Sequence, residues 1–281
     1  MMRRTVAAIK PVSAVGEVRY ITTGGQRIRV NVREGVGVPL VLCNGIGASL
    51  EVLDPLVENL KCPVIRFDVP GTGGSPTSIA PYGFPYLAWV LGRALSKLGI
   101  GVVDVLGLSW GGALAQQFAF QNPRRCRRLV LVATGTGALM VPAHPRVLAK
   151  MLTPHRFSDP DYAASIAGEL YGGTVRSHGE DVARLFVRQL HAGSKMGYLH
   201  QLLAGAIWTS LFALPAVRQQ TLIVAGTDDP IIPVINARIM NALLPHSRLH
   251  LHSGGHIDLV HNADGLAPVI EGFLTEPGER P

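Results

Sequence analysis

The chain has 281 residues, of which 47% are hydrophobic and 16% charged, so we expect one globular domain with a large core and an insertion. Its formal net charge is +7, but the densest basic cluster, residues 124–128, has no interleaved aromatic side chains, which argues against a nucleic-acid partner. No run reaches the ~20 apolar residues of a membrane span, and Lys10 and Pro11 fall where a signal peptide would be apolar, so neither membrane insertion nor secretion is expected.

The three cysteines, Cys43, Cys62 and Cys126, are odd in number and widely spaced. This pattern fits neither a disulfide framework nor a zinc site, and it favours the reducing cytoplasm. Because Cys43 lies in an apolar run without a catalytic motif around it, we expect a small buried side chain there rather than a nucleophile.

Hydrophobic periodicity predicts strands and helices that alternate from about residue 38 onward. The predicted strands are residues 17–21, 27–32, 39–43, 64–67, 102–106, 129–132, 222–225 and 249–252. The predicted helices are residues 50–60, 85–98, 112–121, 234–244 and 263–273. The first two strands flank a T-G-G-Q turn and should form an antiparallel hairpin. The later strands are continuous runs of Val, Ile and Leu, which predicts an α/β fold with a mostly parallel sheet covered by helices on both faces.

Residues 139–216 interrupt this alternation with helical stretches and many large apolar side chains. We interpret the segment as a helical cap that divides the core into residues 1–138 and 217–281. Such an insertion would lie over the carboxyl ends of the strands, where open α/β sheets bind ligands. Candidate substrate-binding residues in or beside it are Met140, Tyr171 and Trp208. The alternative is that its apolar residues only pack the cap itself.

The strongest chemical signal is G-L-S-W-G at residues 107–111, between a predicted strand and a predicted helix. A serine in such a tight turn requires residues with almost no side chain two positions away on each side, and Gly107 and Gly111 meet that need. The turn would present Ser109 at the end of the sheet, beside a helix N-terminus that favours developing negative charge. The pattern alone also fits a glycine-rich turn with a capping serine.

A serine hydroxyl is essentially un-ionised at neutral pH, so Ser109 as a nucleophile needs a base. His256 follows the last predicted strand in a loop with two glycines and is the candidate. His250, His252 and His261 are the alternatives, which we expect to be structural because they lie on the strand or at the start of a helix.

The imidazole in turn needs a carboxylate to fix its tautomer. Asp229, directly before Pro230, is the candidate and Asp228 the alternative. The order Ser109, then acid, then His256 is that of α/β-hydrolases. A serine rather than an aspartate at the nucleophile position argues against haloalkane dehalogenase and epoxide hydrolase chemistry.

The loop N-G-I-G at residues 44–47 follows the first parallel strand and has small residues that let main-chain amides approach a reacting carbonyl. We expect the amides of Ile46 and Trp110 to form the oxyanion hole. Asn44, at the start of this loop, is a further candidate substrate-binding residue.

Several longer motifs surround these residues. They are N-G-I-G-A-S-L-E at 44–51, F-D-V-P-G-T-G-G-S at 67–75, S-W-G-G-A-L-A-Q-Q-F at 109–118, M-V-P at 140–142, Y-G-G at 171–173, W-T-S at 208–210 and D-P-I-I-P at 229–233. In these segments the chain resembles the intracellular depolymerases of medium-chain-length poly(3-hydroxyalkanoates), which are α/β-hydrolases. The resemblance extends from about residue 38 to 273, and the cap matches only loosely.

The resemblance implies a cytoplasmic enzyme that cleaves ester bonds of a storage polyester through an acyl-enzyme on Ser109, without a metal or an organic cofactor. Its expected partner is the hydrophobic polyester and, through apolar cap residues, the surface of a storage granule. Three alternatives remain open from the sequence: a carboxylesterase or lipase for soluble or emulsified esters, other α/β-hydrolase chemistry such as C–C bond hydrolysis or perhydrolysis, and a binding protein on a hydrolase scaffold.

Overall fold

The computed structural model describes residues 16–177 and 193–277, which contain one eight-stranded sheet of order β1-β2-β4-β3-β5-β6-β7-β8. The strands are β1 (Glu17–Thr23), β2 (Gln26–Arg33), β3 (Leu40–Cys43), β4 (Val64–Phe67), β5 (Val103–Leu108), β6 (Cys126–Val132), β7 (Gln220–Gly226) and β8 (Ser247–His252). The pairs β1–β2 and β2–β4 are antiparallel, and the other neighbouring strands are parallel. The predicted hairpin and the mostly parallel sheet are therefore confirmed.

The core helices follow the predicted positions closely. They are α1 (Asp54–Asn59), α2 (Phe84–Lys97), α3 (Trp110–Gln121), α7 (Ile235–Leu243), α8 (Asp258–His261) and α9 (Ala263–Thr275). The stretch predicted as one helix at residues 50–60 divides into a 3-10 turn, Leu50–Leu53, and α1, because Pro55 in its first turn favours a new helix start. The short α8 was not predicted. No helix in the described ranges is long and apolar enough to cross a membrane.

Side chains of successive strand residues point to opposite faces of the sheet, so each strand contributes to two apolar layers. In β3, for example, Leu40 and Leu42 lie in the layer with α1, α8 and α9, while Val41 and Cys43 lie in the layer with α2, α3 and α7. Cys43 is fully buried and burial raises the pKa of its thiol, so it is a small apolar side chain as expected.

Arg125, Arg127 and Arg128 of the basic cluster make contacts inside the fold. Arg125 donates hydrogen bonds to the main-chain carbonyls of Gly92 in α2 and Ile100 after it, and Arg127 pairs with Asp104 of β5. Arg128 donates to the main-chain carbonyls of Leu274 in α9 and Glu276 directly after it. These contacts also explain why β6 begins at Cys126, three residues before the predicted start.

The described residues between β6 and β7 form helices and turns, at the place where the helical insertion was predicted. Its described elements are α4 (Pro145–Met151), a 3-10 turn (His155–Phe157), α5 (Pro160–Tyr171), a second 3-10 turn (Gly173–Arg176), α6 (Lys195–Ile207) and a third 3-10 turn (Leu214–Ala216). The entering and leaving segments pair with each other: the amide of Ala138 donates to Trp208 O at 2.7 Å, and the amide of Ser210 donates to Thr136 O at 3.0 Å. The two stems of the insertion therefore lie side by side on the core. The domain boundaries at residues 138/139 and 216/217 stay a prediction.

Residues 1–15, 178–192 and 278–281 lie outside the described part. They include the positions of the signal-peptide argument, a stretch of the predicted cap, and the ends of the two predicted core segments.

Candidate active site

Ser109 lies in the junction between β5 and α3, with backbone angles φ 54° and ψ −120°. A positive φ is unfavourable for a residue with a side chain, and the surroundings enforce it. A Cβ atom on Gly107 would lie 2.4 Å from Gly111 O, and one on Gly111 would lie 2.1 Å from Cys43 O. Both glycines are thus required by the close approach of the main chain to the turn, as the sequence predicted for a nucleophile elbow.

His256 connects this serine to a carboxylate. Its Nε2 lies 2.8 Å from Ser109 Oγ and its Nδ1 lies 2.8 Å from Asp229 Oδ2. Because a carboxylate only accepts hydrogen bonds, Nδ1 donates to Asp229 and Nε2 is left to accept from the serine hydroxyl. His256 and Asp229 are 4% and 8% exposed, so both bonds are shielded from competing water.

The loop after β7 holds the carboxylate of Asp229 in a fixed orientation. Its Oδ1 accepts hydrogen bonds of 2.9 Å from the amides of both Ile231 and Ile232. This turn leaves Oδ2 directed at His256.

Asp228, the alternative acid, is occupied elsewhere. Its carboxylate accepts two hydrogen bonds from Arg176 of the insertion, at 2.8 and 2.7 Å, and one from the amide of Gly173 at 2.8 Å. Arg176 holds the pKa of Asp228 below its ordinary value. The neighbouring acids thus have separate contacts, Asp229 with the imidazole and Asp228 with the insertion.

No other histidine in the described ranges forms a hydrogen bond with Ser109. His252 faces Asp258, with 3.7 Å between Nδ1 and Oδ2, and Asp258 also accepts a hydrogen bond from the amide of Gly255. These contacts brace the loop that carries His256. Sequence reasoning did not single out Asp258, although an acid two residues after the candidate base was the available signal.

Among residues 45–47 of the loop after β3, the amide of Ile46 is the one that donates no hydrogen bond within the described ranges. The amide of Gly45 donates to Asn44 Oδ1 at 2.8 Å, and that of Gly47 donates to Gln201 Oε1 at 3.0 Å. Trp110 is the first residue of α3, where main-chain amides have no partner inside the helix. The arrangement offers two amide donors near Ser109, and their role as an oxyanion hole stays a prediction.

A cavity of about 540 Å³, which includes space open to solvent, begins at Ser109 and His256. Its wall comes from the loop after β3, the insertion and the segment after His256, and most of it is apolar. The lining includes Asn44, Ile46, Val52, Leu108, Met151, Arg156, Phe157, Tyr171, Ile231, Ile257 and Val260. Such a space can hold a hydrophobic acyl chain against the serine.

Two of the four candidate substrate-binding residues, Asn44 and Tyr171, line this cavity, and two do not. Met140 packs beside Gly135 in the stem of the insertion. Trp208 is buried against Phe84, and its Nε1 donates to Gln117 Oε1 at 2.6 Å. Neither side chain lines the cavity that begins at Ser109, so a substrate-binding role for Met140 and Trp208 stays a prediction without support from this cavity.

Arg156 is the charged residue of the cavity wall within the described ranges, and sequence reasoning missed it. It lies in a part of the cap without clear periodicity, and no local motif marks it. Gln201 was missed as well, although it connects α6 to the loop after β3 and donates to Thr72 Oγ1 at 2.7 Å.

Comparison with known proteins agrees with this architecture. The family model described as alpha/beta hydrolase fold matches residues 38–263. A poly(3-hydroxyalkanoate) depolymerase of Ectopseudomonas oleovorans is 46% identical over 266 residues, which cover 93% of this chain and 94% of that protein. A 2-hydroxy-6-oxo-2,4-heptadienoate hydrolase of Pseudomonas putida is 28% identical over 281 residues, covering 91% of this chain and 95% of the relative.

Among solved structures, the enol-lactonase from Burkholderia xenovorans superimposes with a TM-score of 0.79 at 21% identity, covering 92% of this chain and 100% of that one. This likeness shows the shared fold. With the family match and the 46% identical relative, it means that the chain belongs to the alpha/beta hydrolase fold family and, within it, to the family of the Ectopseudomonas oleovorans poly(3-hydroxyalkanoate) depolymerase.

Proposed function

We propose that this protein is a serine hydrolase that cleaves the ester bonds of poly(3-hydroxyalkanoate), with medium-length side chains as the preferred class. The reaction type is supported by the continuous chain of hydrogen bonds from Ser109 Oγ through His256 to Asp229. Ser109 and His256 line a mostly apolar cavity that can receive the substrate. The substrate class is supported by the 46% identical depolymerase.

In the first step Ser109 Oγ attacks the ester carbonyl carbon while its proton passes to His256 Nε2. The tetrahedral intermediate carries its negative charge on the former carbonyl oxygen, which the amides of Ile46 and Trp110 stabilise. Loss of one such donor typically raises the barrier by roughly 3 kcal/mol. The C–O bond to the alcohol then breaks, and His256 gives its proton to the departing alkoxide.

In the second step a water molecule attacks the acyl-enzyme and loses a proton to His256. The bond to Ser109 Oγ breaks, the serine regains its proton, and the products are one hydroxyl-terminated and one carboxyl-terminated fragment. Asp229 stays ionised and stabilises the imidazolium that forms in each step. Every proton transfer uses these side chains and water, so the scheme requires neither a metal nor an organic cofactor.

The surface of the insertion supports a hydrophobic, water-insoluble substrate. The apolar face of α6, defined by Met196, Leu199, Leu203 and Ile207, repeats at three- and four-residue spacing and is exposed, with Ile207 at 80%. Exposed apolar patches of this kind mark interaction surfaces. We propose that this face contacts the polyester, and that the protein acts inside the cell at the surface of storage granules.

The test is release of 3-hydroxy acids from an amorphous suspension of medium-chain-length polyester, measured by chromatography. Wild-type protein should release them, and Ser109→Ala, checked for folding by circular dichroism, should not. Hydrolysis confined to soluble short esters would instead identify a carboxylesterase. If the protein hydrolyses neither the polyester nor soluble esters, the result would favour a binding protein on a hydrolase scaffold.

A further inference from the structure

The wall of the active-site cavity contains a buried cation. Arg156 belongs to the 3-10 turn His155–Phe157 of the insertion, is 3% exposed, and lines the same cavity as Ser109 and His256. Taking a guanidinium out of water is costly, so a buried arginine is ordinarily paired with a carboxylate.

The partners of Arg156 among the described residues are all neutral. Its Nη1 donates to Thr153 O at 3.2 Å and its Nη2 to Tyr198 Oη at 3.1 Å, and the guanidinium also bonds to the hydroxyl of Tyr171. It lies 4.4 Å above the ring of Phe157. Its Nε has no hydrogen-bond partner, and no carboxylate in the described ranges forms an ion pair with it.

The two tyrosines do not supply the missing negative charge. Burial raises the pKa of Tyr171 to about 12 and also raises the pKa of Tyr198. Both hydroxyls therefore stay protonated at neutral pH. Among the described residues that line the cavity, Arg156 thus places a positive charge without a carboxylate partner in a mostly apolar wall. Planar, bidentate pairing with a carboxylate is the interaction that a guanidinium makes best.

A polyester chain of the proposed substrate class has one carboxylate, at the end where the last repeat unit has no further ester. That carboxylate belongs to the alcohol side of the last ester, separated from the ester oxygen by two carbon atoms. An enzyme that holds it in the cavity of Ser109 attacks the ester nearest the carboxyl end. The bond that breaks then releases a 3-hydroxy acid, and the rest of the chain stays on the serine until water removes it.

We propose that Arg156 binds the free carboxylate of the substrate and directs cleavage to the carboxyl-terminal ester, an inference that rests on the function proposed above. The residue is a specificity determinant on the leaving-group side. It also gives the released 3-hydroxy acid an attachment point, so this product should inhibit competitively.

The test uses two soluble dimers of 3-hydroxyoctanoate, one with its free carboxylate and one in which a carboxamide replaces it. The wild type should cleave the acid with a kcat/KM about 10- to 100-fold above that of the amide, as expected for a charge-assisted pair. In Arg156→Gln this ratio should fall to about one, mainly through KM, and Arg156→Lys should keep an intermediate ratio. A ratio unchanged in Arg156→Gln, or near one in the wild type, overturns the proposal.

Tyr198→Phe is the matched control, because it removes one hydrogen-bond partner of Arg156 but keeps the charge. A purely structural role of the arginine would lower both dimer rates alike in Arg156→Gln and in Tyr198→Phe, and the acid-to-amide ratio would not move. If Arg156→Gln does not fold, inhibition of the wild type decides: 3-hydroxyoctanoate should inhibit at least 10-fold more strongly than its amide, and equal inhibition overturns the proposal.

The outcome separates this inference from the function on which it rests. Wild-type protein that cleaves the polymer and both dimers with equal preference refutes carboxylate recognition alone. Wild-type protein that cleaves neither the polymer nor the dimers refutes the polyester hydrolase itself.

Discussion

The main-chain amide of His256 donates a hydrogen bond of 2.7 Å to the main-chain carbonyl of Tyr171, the last residue of α5. The residue that receives the serine proton in our scheme is thus fastened directly to the insertion. Two residues further along the chain, Gly173 donates its amide to Asp228, the neighbour of the proposed acid Asp229. The insertion therefore contacts the loops that carry the proposed base and acid, in addition to lining the cavity.

Asp228 and Asp229 are neighbours with different contacts, so substituting each in turn tests which of them acts with His256. Asp229→Asn should lower kcat by several orders of magnitude, because an amide in this position favours the wrong imidazole tautomer. Asp228→Asn should lower kcat by no more than about 10-fold, because it weakens contacts with the insertion and leaves the bonds of His256 intact. The exposed pair with Arg176 contributes roughly 1 kcal/mol or less. Turnover of a chromogenic ester measures both. Near-normal activity in Asp229→Asn would contradict the assignment and return the role to Asp228.

The positions of Ser109, Asp229 and His256 at strand ends explain why they could be predicted from the sequence. Ser109, Asp229 and His256 each follow a strand of one parallel sheet, and parallel strands present their carboxyl ends at the same edge. Chain order and turn residues were therefore enough to predict that they meet.

The residues of the cavity wall could not be predicted from the sequence in the same way. Whether Met140 and Trp208 face the substrate depends on how the stems pack against α2 and α3, and periodicity within the insertion carries no information on that packing. The position of Arg156 in the cavity wall could not be predicted for a related reason. A lone arginine in a polar stretch predicts a solvated side chain, and only the tertiary structure reveals that tyrosines and a main-chain carbonyl surround it.

The tight turn around Ser109 should make the stability of the protein sensitive to substitution of Gly111. Gly111→Ala places a methyl group 2.1 Å from Cys43 O, so either the turn or β3 must move, and we expect a loss of about 3 kcal/mol in the free energy of unfolding. Gly272→Ala in α9 is the control, because a Cβ there meets no atom within 4 Å. It should stabilise the protein by about 0.5–1 kcal/mol. Urea denaturation measures both, and a Gly111→Ala variant as stable as the wild type would show that the close contact is not maintained in solution.

If the apolar face of α6 binds the polyester surface, changes to this face should slow hydrolysis of the polymer more than hydrolysis of a soluble ester. Leu203→Gln combined with Ile207→Gln removes two exposed apolar side chains from the surface that we propose contacts the polyester. The rate on a polymer suspension should fall several-fold relative to the rate on a soluble ester. Val36→Gln changes another exposed apolar side chain, in the loop before β3 at the opposite end of the parallel strands, and should leave this ratio as it is. An equal fall of both rates in the α6 variant would indicate damage to the fold rather than weaker adsorption.

The loop that carries His256 should also make stability depend on pH. Burial lowers the pKa of His252 from its ordinary value, and the nearby carboxylate of Asp258 only partly opposes this. The folded protein therefore disfavours the charged imidazole, whereas the unfolded chain takes up a proton near pH 6.5. Below that pH the unfolded state binds more protons, so the free energy of unfolding falls as the pH falls, by at most about 1.4 kcal/mol per pH unit for one proton. Urea denaturation at pH 7.5, 6.5 and 5.5 should show a steeper decline for the wild type than for His252→Gln, in which this proton uptake is absent. Identical slopes for the two proteins would mean that His252 protonates equally well in the folded and unfolded states.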